Sequence, residues 1–91
     1  MRYKKESLLD KKFEALSNST RLAIIDLLKE RPLYAREIAR HFPTSFASVS
    51  LHLKKLVQSN LIVFQKMGLH RRYMLNEEAF EEIYLWISGL I

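Results

Sequence analysis

The apolar positions follow a helical period over most of the chain. Leu8, Leu9, Phe13 and Leu16 lie on one stripe, which predicts a first helix over residues 6–16. Ser17-Asn18-Ser19-Thr20 interrupts it. Asn18 is the predicted N-cap of the next helix, because its side-chain oxygen can accept from the free amides of a first turn. That second helix runs to Glu30. Leu22, Ile25 and Leu28 form its stripe, and Ile24 and Leu27 widen it, so it is expected to be the most buried helix. Arg31 precedes Pro32 and is pushed out of the α region, which ends the helix. Ala35, Ile38, Ala39 and Phe42 mark a short third helix that stops at Pro43. Thr44 or Ser45 then caps a fourth, over residues 45–57, with Phe46, Val49, Leu53, Leu56 and Val57 facing inward. Two short helices joined so tightly predict a helix-turn-helix.

The period changes after residue 60. Residues 61–66 hold β-branched and aromatic side chains, Met67-Gly68-Leu69-His70 supplies a turn, and residues 71–75 return as a second strand. A hairpin directly after a helix-turn-helix is a wing. Asn76 is the expected cap of a last helix, with Glu77 and Glu78 in its first turn, where they complement the helix dipole. Phe80, Ile83, Tyr84, Ile87 and Leu90 form its stripe, while Leu85 and Trp86 lie off it. The predicted fold is therefore mainly α with a small β-hairpin, a winged helix-turn-helix of order α-α-α-α-β-β-α, in a single domain over residues 1–91.

Composition narrows the function. Of 91 residues, 48% are hydrophobic, more than a domain this small is expected to bury alone, which predicts a partner surface. Lys and Arg number 15 against 10 Asp and Glu, for a net charge of +5, which suits a polyanionic ligand. The chain has no cysteine, so disulfides and thiolate metal sites are excluded. Lys4, Lys5 and Glu6 are followed by only Leu8 and Leu9 as an apolar pair, and Leu61-Ile62-Val63-Phe64 is too short to span a membrane, so a cytoplasmic protein without a signal peptide is expected. The sequence has no Gly-rich phosphate loop and no cysteine nucleophile, so no enzyme and no cofactor are expected.

Several stretches resemble the ArsR (arsenic-repressor-like) family of winged-helix regulators. Ala15-Leu16-Ser17-Asn18-Ser19-Thr20-Arg21-Leu22 is similar to the family's ALSDPTRL opening, with Asn18 for the usual Asp and Ser19 for the usual Pro. Glu37-Ile38-Ala39 resembles ELA of the helix before the turn. Ser48-Val49-Ser50-Leu51-His52-Leu53-Lys54-Lys55-Leu56 resembles TVSHHLKVL of the recognition helix, and Arg72-Tyr73-Met74-Leu75-Asn76 resembles the YYRLN that closes the wing. The resemblance spans residues 13–80. It implies a dimeric transcriptional regulator that binds double-stranded DNA, with repression the first reading and activation left open. The family's paired thiols would fall at Tyr34 and Arg36, and the site in its last helix finds Glu77, Glu78, Glu81 and Glu82 but no histidine. His41, His52 and His70 are scattered, so no metal site is expected.

On this reading the recognition helix enters the major groove. Ser45, Ala47, Ser48, Ser50, Leu51 and Lys54 are its outward positions, and Lys54 and Lys55 are expected to meet phosphate. Leu51 stands where the family has a histidine and Phe46 where it often has Gln. Lys66, His70, Arg71 and Arg72 make the wing basic, for contact with phosphate or the minor groove. Arg21 is expected to hold Asp26 or Glu14, or to reach phosphate. Arg36 and Arg40 are further phosphate candidates or simply solvated. His52, sideways on the recognition helix, is read as a structural residue first and as a candidate for pH-sensitive DNA affinity through a gained charge second. Leu8, Leu9, Phe80, Tyr84, Trp86 and Ile87 on the terminal helices, about 6–16 and 77–90, are the expected two-fold homodimer interface. Two other readings stay open: a winged-helix protein-interaction module, and an architectural DNA binder of low specificity.

Overall fold

The computed structural model describes residues 8–91, and for Leu8 the backbone alone. Five helices and three strands follow in the order α1 (Leu8–Leu16), α2 (Ser19–Glu30), β1 (Leu33–Tyr34), α3 (Ala35–Ala39), α4 (Phe46–Gln58), β2 (Ile62–Met67), β3 (His70–Leu75) and α5 (Glu77–Ser88). Local signals set most of these limits. The Asn18 side chain accepts from the Arg21 amide at 3.0 Å and caps α2. Arg31 is extended ahead of Pro32. Ser45 Oγ accepts from the Ser48 amide at 3.1 Å and caps α4.

The sheet has one strand more than the hairpin expected from the sequence. Its order is β1-β3-β2, antiparallel throughout, with Leu33 opposite Tyr73 and Tyr34 opposite Arg72. Two residues are too few to show alternation, so β1 exists only because β3 offers it a free edge. The third helix is also shorter than expected. Beyond Ala39 the amides of His41 and Phe42 bond three residues back, to Ile38 and Ala39, which tightens the chain into a turn before Pro43.

One hydrophobic core joins all the helices to the sheet, built from Ile24, Leu28, Leu33, Ile38, Val49, Leu53, Leu56, Leu61, Ile62, Tyr73, Ala79 and Ile83 with Ala15. The broad stripe of α2 predicts it as the most buried helix. The structure gives that place to α4, which buries Val49, Leu53 and Leu56, whereas α2 buries Ile24 and Leu28 and leaves Leu22 exposed. Residues spaced by four and three turn one face of α4 inward and fix its rotation.

The end of α4 aims the wing. Asn60 adopts φ 64°, the Leu61 amide bonds back to the Leu56 carbonyl at 3.1 Å, and the Asn60 amide bonds to Val57 at 3.0 Å. This is a Schellman closure, and its apolar contact is made by Leu56 and Leu61, both fully buried. Asn76, expected to cap α5 with its side chain, makes no such bond. Its Nδ2 instead donates to the Asn60 carbonyl at 2.9 Å and its amide to Leu61 at 3.0 Å, so it ties the end of the wing to its beginning. At the tip, Gly68 (φ 66°) takes the first central position of the Met67–His70 hairpin, the pattern of a II′ turn.

Arg21 and His52 form a second tie. Arg21 Nε donates to the Ala15 carbonyl at the end of α1 (2.6 Å), and its Nη1 lies 3.2 Å from His52 Nδ1 on α4. Arg21 is therefore part-buried and bonds Ala15 and His52 rather than Asp26 or Glu14. A guanidinium can only donate, so Nδ1 accepts and the imidazole is neutral. Burial, and then the Arg21 charge, lower the His52 pKa below its ordinary 6.5. The bond to Arg21 fits the structural reading of His52, and the lowered pKa opposes the gained charge that pH-sensitive DNA affinity would need.

Two outcomes follow for stability. In urea unfolding, Asn60→Val costs about 1–2 kcal/mol, because a β-branched side chain resists a left-handed backbone, while Asn60→Gly stays within about 0.5 kcal/mol of wild type. As pH falls from about 7.5 to about 5.5, the unfolded chain takes up a proton at His52 that the folded chain resists. Stability present above pH 6.5 is then lost on acidification. Thermal melts of His52→Asn, whose side-chain oxygen can still accept from Arg21, should show a smaller drop over this window.

Candidate nucleic-acid interface

Burial of Val49, Leu53 and Leu56 leaves the opposite face of α4 to solvent. Ala47, Lys54 and the capping Ser45 are exposed, Leu51 is 69% exposed, and Ser48 and Ser50 are half-buried beside them. This face presents three small hydroxyl groups, a methyl, an isobutyl group and an ammonium. Such a surface can approach base edges closely, with donors and apolar contacts but little fixed charge. Lys55, expected with Lys54 at phosphate, turns instead to α1. Its Nζ lies 3.0 Å from Glu14 Oε1, and this bond holds the Glu14 carboxyl below the usual carboxylate range. Both side chains are largely exposed, so the pair adds little to stability.

The wing separates its two arginines. β2 and β3 pair from Ile62–Leu75 to Met67–His70. Side chains alternate across the sheet, so Arg71 shares a face with Phe64, Lys66 and the buried Tyr73, while Arg72 shares the other with Gln65 and Tyr34. The Arg71 guanidinium lies over the Phe64 ring, 4.4 Å from its centroid. Arg72 is half-buried, its Nη2 donates to Gln65 Oε1 at 2.8 Å, and its buried Nε has no partner among the described residues. Lys66, His70 and Arg71 are exposed. His70 meets the Tyr34 ring edge-on, with centroids 6.3 Å apart.

The wing and the recognition helix share one surface. A cleft of about 490 Å³ opens between the start of α4, α3 and the wing tip, with Ser50 and Phe46 on one side and Leu69, His70 and Arg71 on the other. Phe46, expected to face the core, is 50% exposed and lines this cleft. It is the first helical residue of α4, and the core begins only at Val49, so helical spacing alone misassigns it. Arg36 joins the cleft from α3, while Arg40 is exposed nearby.

The terminal helices carry a separate apolar surface. Trp86 is 47% exposed and meets Phe13 edge-on at 5.5 Å, while Tyr84 is 68% exposed and Leu85, Ile87 and Leu90 are exposed around them. Leu9 and Phe80 are partly buried against the core. The Leu8 side chain lies outside the described residues. Among the described residues no three His, Asp or Glu side chains group to hold a metal, and no helix is long and apolar enough to cross a membrane.

The comparisons with known proteins agree with this geometry. A family profile described as bacterial regulatory protein, arsR family, matches residues 18–63. The transcriptional repressor SdpR of Bacillus subtilis is 37% identical over 79 residues, spanning 87% of this chain and 88% of its own length. A crystal structure of an ArsR family transcriptional regulator superposes with a TM-score of 0.87 at 27% identity, covering 92% of each chain. A homodimeric winged helix-turn-helix DNA-binding domain from Mycobacterium bovis shares the fold, with a TM-score of 0.75 at 23% identity, over 90% of this chain and 78% of that one. The chain belongs to the ArsR family of bacterial regulatory proteins, a family of DNA-binding transcriptional regulators, and it has their winged helix-turn-helix fold.

Proposed function

We propose that this chain is a cytoplasmic transcriptional repressor that binds duplex DNA sequence-specifically as a two-fold homodimer, and that it performs no catalysis of its own. The family is one of regulators rather than of enzymes. The observation that carries the reading is the shared surface: the outward face of α4 and the basic wing tip border one cleft. A duplex can be engaged there in two adjoining places. α4 lies in the major groove, with Ser45, Ala47, Ser48, Ser50 and Leu51 at base edges and Lys54 at phosphate. Lys66, His70 and Arg71 then reach the flanking backbone or minor groove. Arg72, held by Gln65 on the other face of the wing, contributes less.

The dimer rests on α5. Its second half leaves the core and exposes Tyr84, Leu85, Trp86 and Ile87, which with Phe13 form the patch that a two-fold partner would cover. The Mycobacterium bovis domain of the same fold is described as homodimeric.

Selection from a random duplex pool tests the reading. Enrichment of an inverted repeat with half-sites about one helical turn apart supports it. Salt-sensitive binding without enrichment would replace it with an architectural role, and absence of binding at low salt would end it. Arg71→Ala should weaken binding to all sequences and lower the salt slope by about one, with a smaller loss for Arg72→Ala. In sedimentation, Trp86→Ala should raise the dimer dissociation constant by about tenfold or more. An unchanged dimer would place the interface elsewhere.

A further inference from the structure

We propose that the cleft between α3, the start of α4 and the wing is a binding site for a small planar aromatic acid, and that such a ligand excludes DNA. The second clause rests on the function proposed above; the first does not.

The cleft follows from the brevity of β1. That strand pairs only with Tyr73 and Arg72, and Ala35 then starts α3. β3 and β2 continue outward to the Met67–His70 pair. The edge of β3 at His70 and Arg71 is left without a strand beside it, and the space between that edge, α3 and α4 is the cleft. Its volume of about 490 Å³ falls within the size range of small-molecule sites.

The lining has two chemistries side by side. Tyr34, Phe46 and Tyr73 supply aromatic surface, and Arg36, Arg71 and His70 supply donors. The one carboxylate in the lining, Glu37, is already engaged: its Oε1 accepts from the Tyr34 amide at 2.9 Å, and its Oε2 lies 3.6 Å from Arg31. The amide bond first, and then the Arg31 charge, hold the Glu37 carboxyl below its usual range. Among the described residues neither Arg36 nor Arg71 has a carboxylate partner. The cleft therefore has unmatched positive charge beside aromatic carbon, of which Phe46 is half exposed and Tyr34 partly so, while Tyr73 is buried behind them. A carboxylate can take the guanidinium fork bidentately, and an attached ring can pack edge-to-face or offset on Phe46 and Tyr34. Anionic oxygen alone could equally come from a phosphodiester of the duplex. The rings distinguish the two sources, since a phosphodiester needs donors and makes no use of the Phe46 and Tyr34 rings.

Ser50 and Arg71 belong both to this lining and to the proposed DNA surface. A ligand bound there occupies them and leaves a ring where the duplex would pass. Ligand and DNA then compete, and the apparent DNA affinity falls with the ligand's occupancy.

The test uses 2-naphthoate as probe, with 2-naphthamide, cyclohexanecarboxylate and inorganic phosphate as comparisons at constant ionic strength. Binding to the DNA-free protein is read by calorimetry and by amide shifts in two-dimensional NMR. The proposal expects saturable naphthoate binding with shifts at Tyr34, Ser50 and His70. It also expects binding about tenfold or more weaker in Phe46→Ala and in Arg71→Ala, and weaker for all three comparison compounds. Phe46 and Arg71 are exposed, and the same spectra report whether each variant is folded. No naphthoate binding would overturn the site, as would binding unchanged in Phe46→Ala. Phosphate bound as well as naphthoate, and equally in Phe46→Ala, would make the cleft a seat for the DNA backbone instead. Fluorescence anisotropy with the selected duplex supplies the second arm. Naphthoate raising the apparent DNA dissociation constant in wild type supports the competition, and simultaneous binding overturns that clause. Naphthoate binding by a protein that binds no DNA would sink the proposed function while the site stands, and DNA binding without naphthoate binding would do the reverse.

Discussion

Burial of Val49, Leu53 and Leu56 on one side of α4 sets the rotation of that helix, and the rest of the interface depends on it. With those three side chains in the core, the positions between them must face out. The helix is held laterally as well, by His52 against Arg21 and by Lys55 against Glu14. Its far end is closed by Asn60 in the left-handed region, and the residue that follows, Leu61, returns at once to the same core. Ile62 continues inward as the first residue of β2. The wing is thus anchored by the core that orients the recognition helix. Its tip and the start of α4 are two ends of one packed unit.

The same packing sorts the basic residues by task. Arg21 and Lys55 are engaged inside the protein or across its surface, linking helices. Arg72 is drawn onto Gln65. Lys54, Lys66, Arg36 and Arg71 remain at the surface without a carboxylate partner among the described residues. Of the described cations bound within the fold, only Lys55 and Arg31 meet a carboxylate; Arg21 and Arg72 bond neutral groups and keep their charge. The outer face of α4 itself carries a single charge, that of Lys54, among small and apolar side chains. That division suits an interface in which backbone contacts supply affinity and the helix face supplies discrimination.

At the opposite end, apolar surface is left over. Ala79 and Ile83 bring the first half of α5 into the core, but Tyr84, Leu85, Trp86 and Ile87 continue beyond it. A domain of this length closes over only part of its apolar surface. The Phe13–Trp86 contact joins the exposed apolar side chains of the two terminal helices. Pairing there would leave the α4 and wing surface of each copy free, so one fold can hold a partner and a duplex at once.

What the sequence determined by itself was local. Asn18 and Ser45 cap the next turn through bonds reaching three residues, Pro32 restricts the residue before it, and the spacing of Val49, Leu53 and Leu56 marks an inward face; each acts within a helical turn or two and is legible without a partner. The tertiary structure decided whatever required one. β1 is a strand only beside β3, Asn76 bonds Asn60 rather than its own helix, and Arg21 finds Ala15 and His52. Arg71 and Arg72 are adjacent in sequence, yet the pleat sends them to opposite faces, where Phe64 and Gln65 await them. Phe46 carries the right spacing for burial but sits beyond the end of the core it would have joined. A long polar or aromatic side chain can reach many neighbours, and only the packed fold determines which neighbour stands within bonding distance.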